Sequence, residues 1–237
     1  MHAEESVDAV ALARQMVKLH QSSGFEARMQ VEVNDADKRM HLPFKVAVIG
    51  EITLEKQRLL LRGISPRKVR EQTFAILATA DAPARVIKST QDKHSAADPY
   101  SPLFDSGLIL WDLLAPWWGW AEQSVIGSDT FDDHPCSLIR SRTSQTENPI
   151  SEVISCVDTT TALAWRTQLF DKQHTLLRTI TVNLAMRSES GMLVARALTV
   201  EVPGISNTII TVYAGDEHYQ IKPDTFSILE SAPEAEQ

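Results

Sequence analysis

The sequence predicts an α+β protein built mainly from antiparallel strands. Apolar and polar residues alternate with a period of two along most of the 237-residue chain, and turn-forming residues separate the alternating segments. Only two segments depart from this pattern, one at the N-terminus and one in the middle. We therefore expect about ten or eleven strands, an N-terminal helix and a central helical segment in a single domain over residues 1–237. Residues 1–5 and 231–237 are expected to be disordered.

The N-terminal segment, residues 6–20, predicts an amphipathic helix. Its apolar residues recur at helical spacing, Ser6 can cap the first turn, and Asp8 suits the positive end of the helix dipole. From Phe25 onward the period changes to two. The predicted strands cover residues 25–33, 44–49, 52–61, 72–79, 85–88, 137–142, 150–157, 162–170, 176–184, 192–202 and 208–213.

The central segment, residues 108–120, is the most apolar part of the chain. It holds four of the five tryptophans, and Pro116 must end or kink any helix there. One or two short helices are expected. They can cover a curved sheet and line an apolar pocket, or simply fill the core of the sheet, which is the simpler interpretation of the residues alone. An interfacial membrane helix is disfavoured because the segment contains no Lys or Arg.

The two cysteines are predicted to face each other in a hairpin. If Cys136 lies opposite Cys156, then Arg140 lies opposite Glu152, and the apolar residues of the two strands also pair. This register would allow a disulfide between the two cysteines. Two buried free thiols remain the alternative. A catalytic thiol is disfavoured because no cation or helix N-terminus is evident to lower its pKa.

Composition and charge exclude several classes of function. The formal net charge of −8 disfavours nucleic-acid binding, which needs clustered Lys and Arg. No segment approaches the ~20 apolar residues of a transmembrane helix. The acidic N-terminus does not resemble a signal peptide, so the residues fit either a cytoplasmic protein or a mature secreted chain.

No catalytic or metal-binding motif is present in the sequence. Phosphate-binding glycine loops, nucleophile elbows and His-Glu-x-x-His pairs are all absent, so no catalytic residue, metal ligand or cofactor is predicted. The nearest candidate for a metal site is the group Asp129, Asp132, Asp133, His134 and Cys136. Its spacing fits no zinc motif, and a polar hairpin turn is the better interpretation.

Residues 105–230 carry an ordered run of strand patterns that resembles a known family. The segments concerned are Leu110–Leu114 leading to Val125–Gly127, Ser151–Asp158 with its acidic end, Trp165–Asp171 followed by Leu176–Thr179, and Thr208–Val212 followed by Ile221, Asp224 and Phe226. This run resembles the LolA/LolB-like outer-membrane lipoprotein-sorting proteins. No residue matches the lid arginine of that family, so no residue role is carried over.

The resemblance implies a half-open, incomplete β-barrel whose concave face is closed by helices. Its apolar cavity would take up acyl chains of lipids or lipoproteins in the periplasm. The resemblance also implies a cleaved leader and an oxidising compartment, in which a Cys136–Cys156 disulfide can form. The residues expected to line the cavity are Leu110, Trp111, Leu114, Trp117, Trp118 and Trp165, with Asp112 at the rim.

The expected function is therefore that of a non-enzymatic, periplasmic carrier of lipids or lipoproteins. Burial of acyl chains would drive binding, at ~0.8 kcal/mol per CH₂ group. The alternative is a non-catalytic interaction or scaffold module of the cell envelope with a protein partner, which exposure of Trp117 and Trp118 would favour. An enzyme would need His134, together with Asp132 or Asp133 and a nucleophile, in one cleft.

Overall fold

The structure, a computed structural model, describes residues 7–19, 21–37, 41–53, 55–79, 84–90, 93–145 and 147–231. These residues form thirteen strands and four α-helices, with 3₁₀ helices at Leu103–Asp105 and Pro116–Gly119. In chain order the other elements are α1 (Ala9–Leu19), β1 (Ser22–Asp35), β2 (Phe44–Ile52), β3 (Lys56–Ser65), α2 (Arg67–Arg70), β4 (Gln72–Thr79), β5 (Arg85–Thr90), β6 (Lys93–Ala97), α3 (Leu110–Leu114), β7 (Glu122–Phe131), β8 (His134–Arg142), β9 (Glu152–Asp158), β10 (Leu163–Phe170), β11 (Leu176–Arg187), β12 (Leu193–Val202), β13 (Ser206–Asp216) and α4 (Ile228–Ser231).

The chain divides into two compact units. The first unit comprises Met1–Leu19 and Ala115–Gly204, and the second comprises His20–Leu114 and Ile205–Gln237. The strands of the first unit lie in the order β12-β11-β10-β9-β8-β7, and those of the second lie in the order β6-β5-β4-β3-β2-β1-β13. Every pair of neighbours within each unit is antiparallel.

The predicted fold class, α+β with mainly antiparallel strands, is confirmed, but the strand number is thirteen rather than ten or eleven. The two strands that alternation along the sequence did not predict are β6 and β7. All of their side chains are exposed or half-buried, so no apolar face produces the alternation that marks a strand. Among the described residues β6 pairs only with β5 and β7 only with β8, which makes both of them edge strands.

Helix α1 is shorter than predicted. It begins at Ala9, because Asp8 Oδ1 accepts hydrogen bonds from the backbone N–H groups of Val10 and Ala11, at 2.9 and 3.1 Å. The cap is thus Asp8, and Ser6 lies outside the described residues. The buried residues recur at helical spacing and form one face: Ala9, Leu12, Ala13 and Met16.

The C-terminal segment packs on the strands of the second unit. Phe226 and Leu229 are buried against Leu60, Ala75 and Ile87, which lie on β3, β4 and β5. Phe226 thus belongs to the core of this unit although it follows the last strand. The residues for which disorder was predicted lie outside the described residues, except that Ser231 ends α4. The single-domain organisation stays a prediction.

The predicted register of β8 and β9 is wrong by two residues. Cys156 lies opposite Leu138, and Glu152 lies opposite Arg142 rather than Arg140. A shift of two residues keeps every side chain on its predicted face, because side chains alternate with a period of two. The residues alone therefore gave the correct faces of the two strands and the wrong register.

The predicted disulfide joins Cys136 to Cys156 across these two strands, with their Cα atoms 5.2 Å apart. Because of the register shift the cysteines are diagonal neighbours rather than directly opposed. The bridge packs beside Leu163 and Trp165, and both cysteines are buried. Among the described residues no helix is long and apolar enough to cross a membrane.

Removal of the disulfide is expected to destabilise the first unit. The cysteines are 20 positions apart, and the bridge restricts the unfolded chain by an amount that grows with this loop length. The double substitution Cys136→Ala with Cys156→Ala should lower the free energy of unfolding by about 3 kcal/mol in urea denaturation. A reductant should destabilise the natural chain and leave the double variant unchanged. Equal sensitivity of the two proteins to the reductant would contradict this assignment.

Candidate functional site

The segment that leads into α3 is anchored inside the second unit. The ring of Phe104 packs against Phe44 and Phe74, with ring centroids 6.0 and 4.9 Å away. The backbone N–H of Gly107 donates to Thr208 Oγ1 at 3.2 Å. A Cβ atom at Gly107 would lie only 2.8 Å from that hydroxyl, so this close approach to β13 requires glycine.

Helix α3 carries three of the residues predicted to line a cavity. Asp112 Oδ2 accepts a hydrogen bond from the N–H of Ile109 at 2.9 Å and so holds the start of the helix. Leu110 is 1% exposed, whereas Trp111 and Leu114 are half-buried. Trp111 stacks on the ring of Tyr100, with centroids 5.4 Å apart and planes 13° from parallel.

The 3₁₀ helix Pro116–Gly119 carries two further predicted residues in the first unit. Trp117 and Trp118 are 3% and 5% exposed, and their rings contact each other at a tilt of 55°. Helix α1 packs against this 3₁₀ helix and against β7. The apolar face of α1 therefore shares a core with the tryptophans, although the two segments lie about a hundred positions apart in the sequence.

Gln123 on β7 fixes the backbone of the tryptophan-rich segment. Its Nε2 donates to the carbonyl oxygens of Trp117 and Trp120, at 2.9 and 3.0 Å. Its Oε1 accepts a hydrogen bond of 2.7 Å from the buried hydroxyl of Ser141 on β8. One side chain thus provides partners for two helix-end carbonyls and a buried hydroxyl.

Trp165 lies in a second aromatic cluster of the first unit. The His134 ring stacks on it, with centroids 3.7 Å apart and planes 8° from parallel. The disulfide and Leu163 complete the buried part of this cluster, and Trp165 itself is 8% exposed. The histidine is therefore engaged with an aromatic ring rather than with an acidic group.

Two buried indole groups of the first unit lack hydrogen-bond partners. The Nε1 atoms of Trp117 and Trp165 are buried, and no acceptor among the described residues reaches either of them. A buried N–H group without an acceptor costs about 1–3 kcal/mol. Each of these two donors would gain a hydrogen bond from any group that brought an acceptor into its apolar surroundings.

The residues proposed for a hydrolase do not assemble into a cleft. Asp132 and Asp133 form the turn between β7 and β8, with φ of 47° and 65°, and both are exposed. The polar hairpin turn predicted here is therefore present. In the described ranges, no three His, Cys, Asp or Glu side chains are placed to hold a metal ion.

Comparison with known proteins yields likeness in structure rather than in sequence. No family model matches the chain, and no curated protein matches its sequence. A DUF1329 family protein from Desulfovibrio piger is similar with a TM-score of 0.83 and 14% identity, over 92% of this chain and 95% of that one. A domain assigned to the outer-membrane lipoprotein-sorting proteins, from Vibrio parahaemolyticus, has a TM-score of 0.81 and 10% identity, over the same two shares.

A LolA superfamily protein from Nitrosomonas europaea is also similar, with a TM-score of 0.74 and 11% identity, over 93% of this chain and 98% of that one. The chain has a LolA-like fold. The resemblance predicted from loose strand patterns in residues 105–230 is thus confirmed at the level of the fold. Because the sequence identities are only 10–14%, these comparisons show a shared fold and not a shared function.

The six predicted cavity residues are divided between the two units. Leu110, Trp111 and Leu114 belong to the second unit, and Trp117, Trp118 and Trp165 belong to the first. Their role as a cavity lining stays a prediction. Sequence reasoning did not find their partners Tyr100, Gln123 and His134, because polar residues at strand ends and in loops carry no pattern that signals a tertiary contact.

Loss of the Gln123 side-chain hydrogen bonds is expected to destabilise the first unit. The substitution Gln123→Met keeps the length of the side chain but leaves the buried Ser141 hydroxyl and two backbone carbonyls without this partner. We expect the free energy of unfolding to fall by about 2 kcal/mol in urea denaturation. The matched control is Gln173→Met in the exposed β10–β11 turn, and equal effects of the two changes would contradict this role for Gln123.

Tyr100 is expected to make stability depend on alkaline pH. Burial, together with the nearby charge of Asp98, raises the pKa of Tyr100 from 10.0 to about 12. Between these values the folded chain keeps a proton that the unfolded chain has lost, so stability should fall as pH rises from 10 to 12. Tyr100→Phe should remove this part of the fall, measured as the urea midpoint at several pH values. Tyr213→Phe, at a more exposed phenol, is the control for general alkaline effects.

Proposed function

We propose that this protein is a non-enzymatic carrier that binds the acyl chains of a lipid or lipoprotein in the bacterial periplasm. The observation that carries the proposal is the pair of buried indole N–H groups of Trp117 and Trp165, which have no acceptor among the described residues. Both side chains are predicted cavity residues, and both are surrounded largely by apolar groups.

The chemistry of an acylated ligand fits these groups. Its hydrocarbon chain contributes about 0.8 kcal/mol per buried CH₂ group through the hydrophobic effect. Its ester or amide carbonyl supplies an acceptor that an indole N–H lacks in the free protein. A purely hydrocarbon ligand would leave both donors unpaired, so a lipid with a carbonyl near its acyl chains is the better fit.

The fold supports the carrier function, and the disulfide supports a periplasmic location. The similarity to a lipoprotein-sorting domain and to a LolA superfamily protein makes lipid or lipoprotein binding the natural proposal for this fold. The Cys136–Cys156 bridge suits an oxidising compartment, since disulfides persist outside the cytoplasm. A periplasmic location is therefore part of the proposal.

The alternative functions gain no support from the site. An interaction or scaffold module was tied to exposure of Trp117 and Trp118, and both are buried. A hydrolase was tied to a cleft containing His134 with Asp132 or Asp133, and His134 is stacked on Trp165 instead. Burial of Trp117 and Trp118 thus disfavours the interaction module, and the stacking of His134 on Trp165 disfavours the hydrolase.

The proposal predicts that lipid co-purifies with the chain. Protein purified without detergent from a bacterial host should carry lipid in native mass spectrometry and release it on solvent extraction. Trp117→Phe keeps an apolar ring but removes the indole donor, and we expect it to weaken lipid binding about tenfold. Trp118→Asp should abolish binding, because it places a charge among apolar groups.

The control is Leu42→Asp, the same kind of change at a residue that is 84% exposed, and it should bind lipid normally. Circular dichroism identifies any variant that fails to fold, and Trp117→Phe keeps the test decisive if Trp118→Asp does not fold. A clean protein mass that stays unchanged when lipid is offered would refute the carrier and favour the interaction module.

A further inference from the structure

The second unit contains a groove that is separate from the predicted cavity residues. It lies between the ends of β2 and β3 and the segment that follows β13, and it has a volume of about 500 Å³. This volume lies within the usual range for small-molecule sites. The residues that matter for its chemistry are Glu51, Arg58, His218, Ile221, Lys222 and Phe226.

The wall of this groove is fixed although it has no regular secondary structure. Gly24 on β1 lies so close to the segment that a Cβ atom there would be 2.2 Å from the carbonyl oxygen of Tyr219. Ile221 and Phe226 pack on the core cluster of the same unit. The segment is therefore held at both ends against the strands, and the groove is preformed.

Arg58 is held in place with most of its donors unused. Its Nε donates to Glu51 Oε1 at 2.7 Å, and its guanidinium lies 4.5 Å from the centroid of the Phe226 ring. A guanidinium has five N–H donors, and no acceptor among the described residues takes those of the Nη atoms. The hydrogen bond from Arg58 keeps the pKa of Glu51 below its usual value, against the opposing effect of burial, so Glu51 stays charged at neutral pH.

The groove carries more positive than negative charge. Arg58 and Lys222 contribute two cations against the single carboxylate of Glu51, whereas the whole chain has a formal net charge of −8. Lys222 is exposed and has no ion-pair partner among the described residues. The imidazole of His218 adds a third donor group. Anions that the rest of the surface repels thus meet a local attraction here.

We propose that this groove binds a phosphate group, carried by a small molecule or by a lipid headgroup. The unused Nη donors of Arg58 and the Lys222 ammonium bind the phosphate oxygens, and Ile221 and Phe226 contact the apolar part of the ligand. Arg is suited to phosphate because its planar fork donates two parallel hydrogen bonds. Three separate donor side chains match the several oxygens of a phosphate better than the two of a carboxylate. The groove shares no residue with the proposed acyl-binding set. The phosphate proposal can therefore be tested independently of the proposed carrier function.

The test is an NMR titration of the full chain with inorganic phosphate at neutral pH and constant ionic strength. We expect saturable amide shifts confined to residues 218–226 and the ends of β2 and β3. Lys222→Gln should weaken binding about tenfold, and Arg58→Lys, which keeps the charge but loses the fork, by a similar factor. Lys93→Gln removes the same charge from an exposed residue of β6 in the same unit and should bind phosphate as the natural chain does.

A second titration with a short-chain phosphatidylglycerol below its micelle concentration identifies the source of the phosphate. Tighter binding than that of inorganic phosphate, lost in Lys222→Gln, supports a lipid headgroup, and equal or weaker binding supports a free small phosphate. The proposal is overturned if neither probe gives saturable shifts below about 10 mM. It is equally overturned if Lys222→Gln and Lys93→Gln behave alike. Lipid retention through the tryptophans is unaffected by either result.

Discussion

The pairing of β8 with β9 is the interaction on which the first unit depends. Its register places Cys156 beside Cys136 on a diagonal and sets Glu152 opposite Arg142, whose Nε donates to the Glu152 carboxylate. Glu152 is buried, and His174 Nδ1 lies 3.2 Å from its other oxygen. A register slip of one residue would turn the disulfide and this buried carboxylate to the opposite face, so both features hold the register in place.

Some buried polar groups of the first unit have hydrogen-bond partners, and others, in the proposed binding residues, do not. The carbonyl oxygens of Trp117 and Trp120 receive hydrogen bonds from Gln123, and the hydroxyl of Ser155 pairs with that of Thr167 at 3.1 Å. The indoles of Trp117 and Trp165 receive no such compensation. Buried donors are almost always paired in folded proteins, and the proposed ligand would supply the acceptors that these two indoles lack.

Much of the fold could be predicted from the sequence, because the pattern that predicts a strand is carried by neighbouring residues. Alternation with a period of two shows which side chains of a strand share a face, and it gave the correct faces for β8 and β9. It did not give their register, because a shift of two residues preserves every face. It also failed for β6 and β7, whose edge positions leave most of their side chains in water. The disulfide, which the residues left open against two free thiols, forms in spite of the wrong register, since the diagonal cysteines have Cα atoms only 5.2 Å apart.

The sequence by itself determined the antiparallel fold class, the N-terminal helix and the short tryptophan-rich helices. Each of these follows from neighbouring residues, through periodicity and the effect of proline on a helix. Only the tertiary structure decided that Gln123 joins β7 to the tryptophan carbonyls, that His134 lies on Trp165, and that Arg58 and Lys222 share one groove. These contacts join residues far apart in the chain, and their spacing carries no signal until the strands are paired.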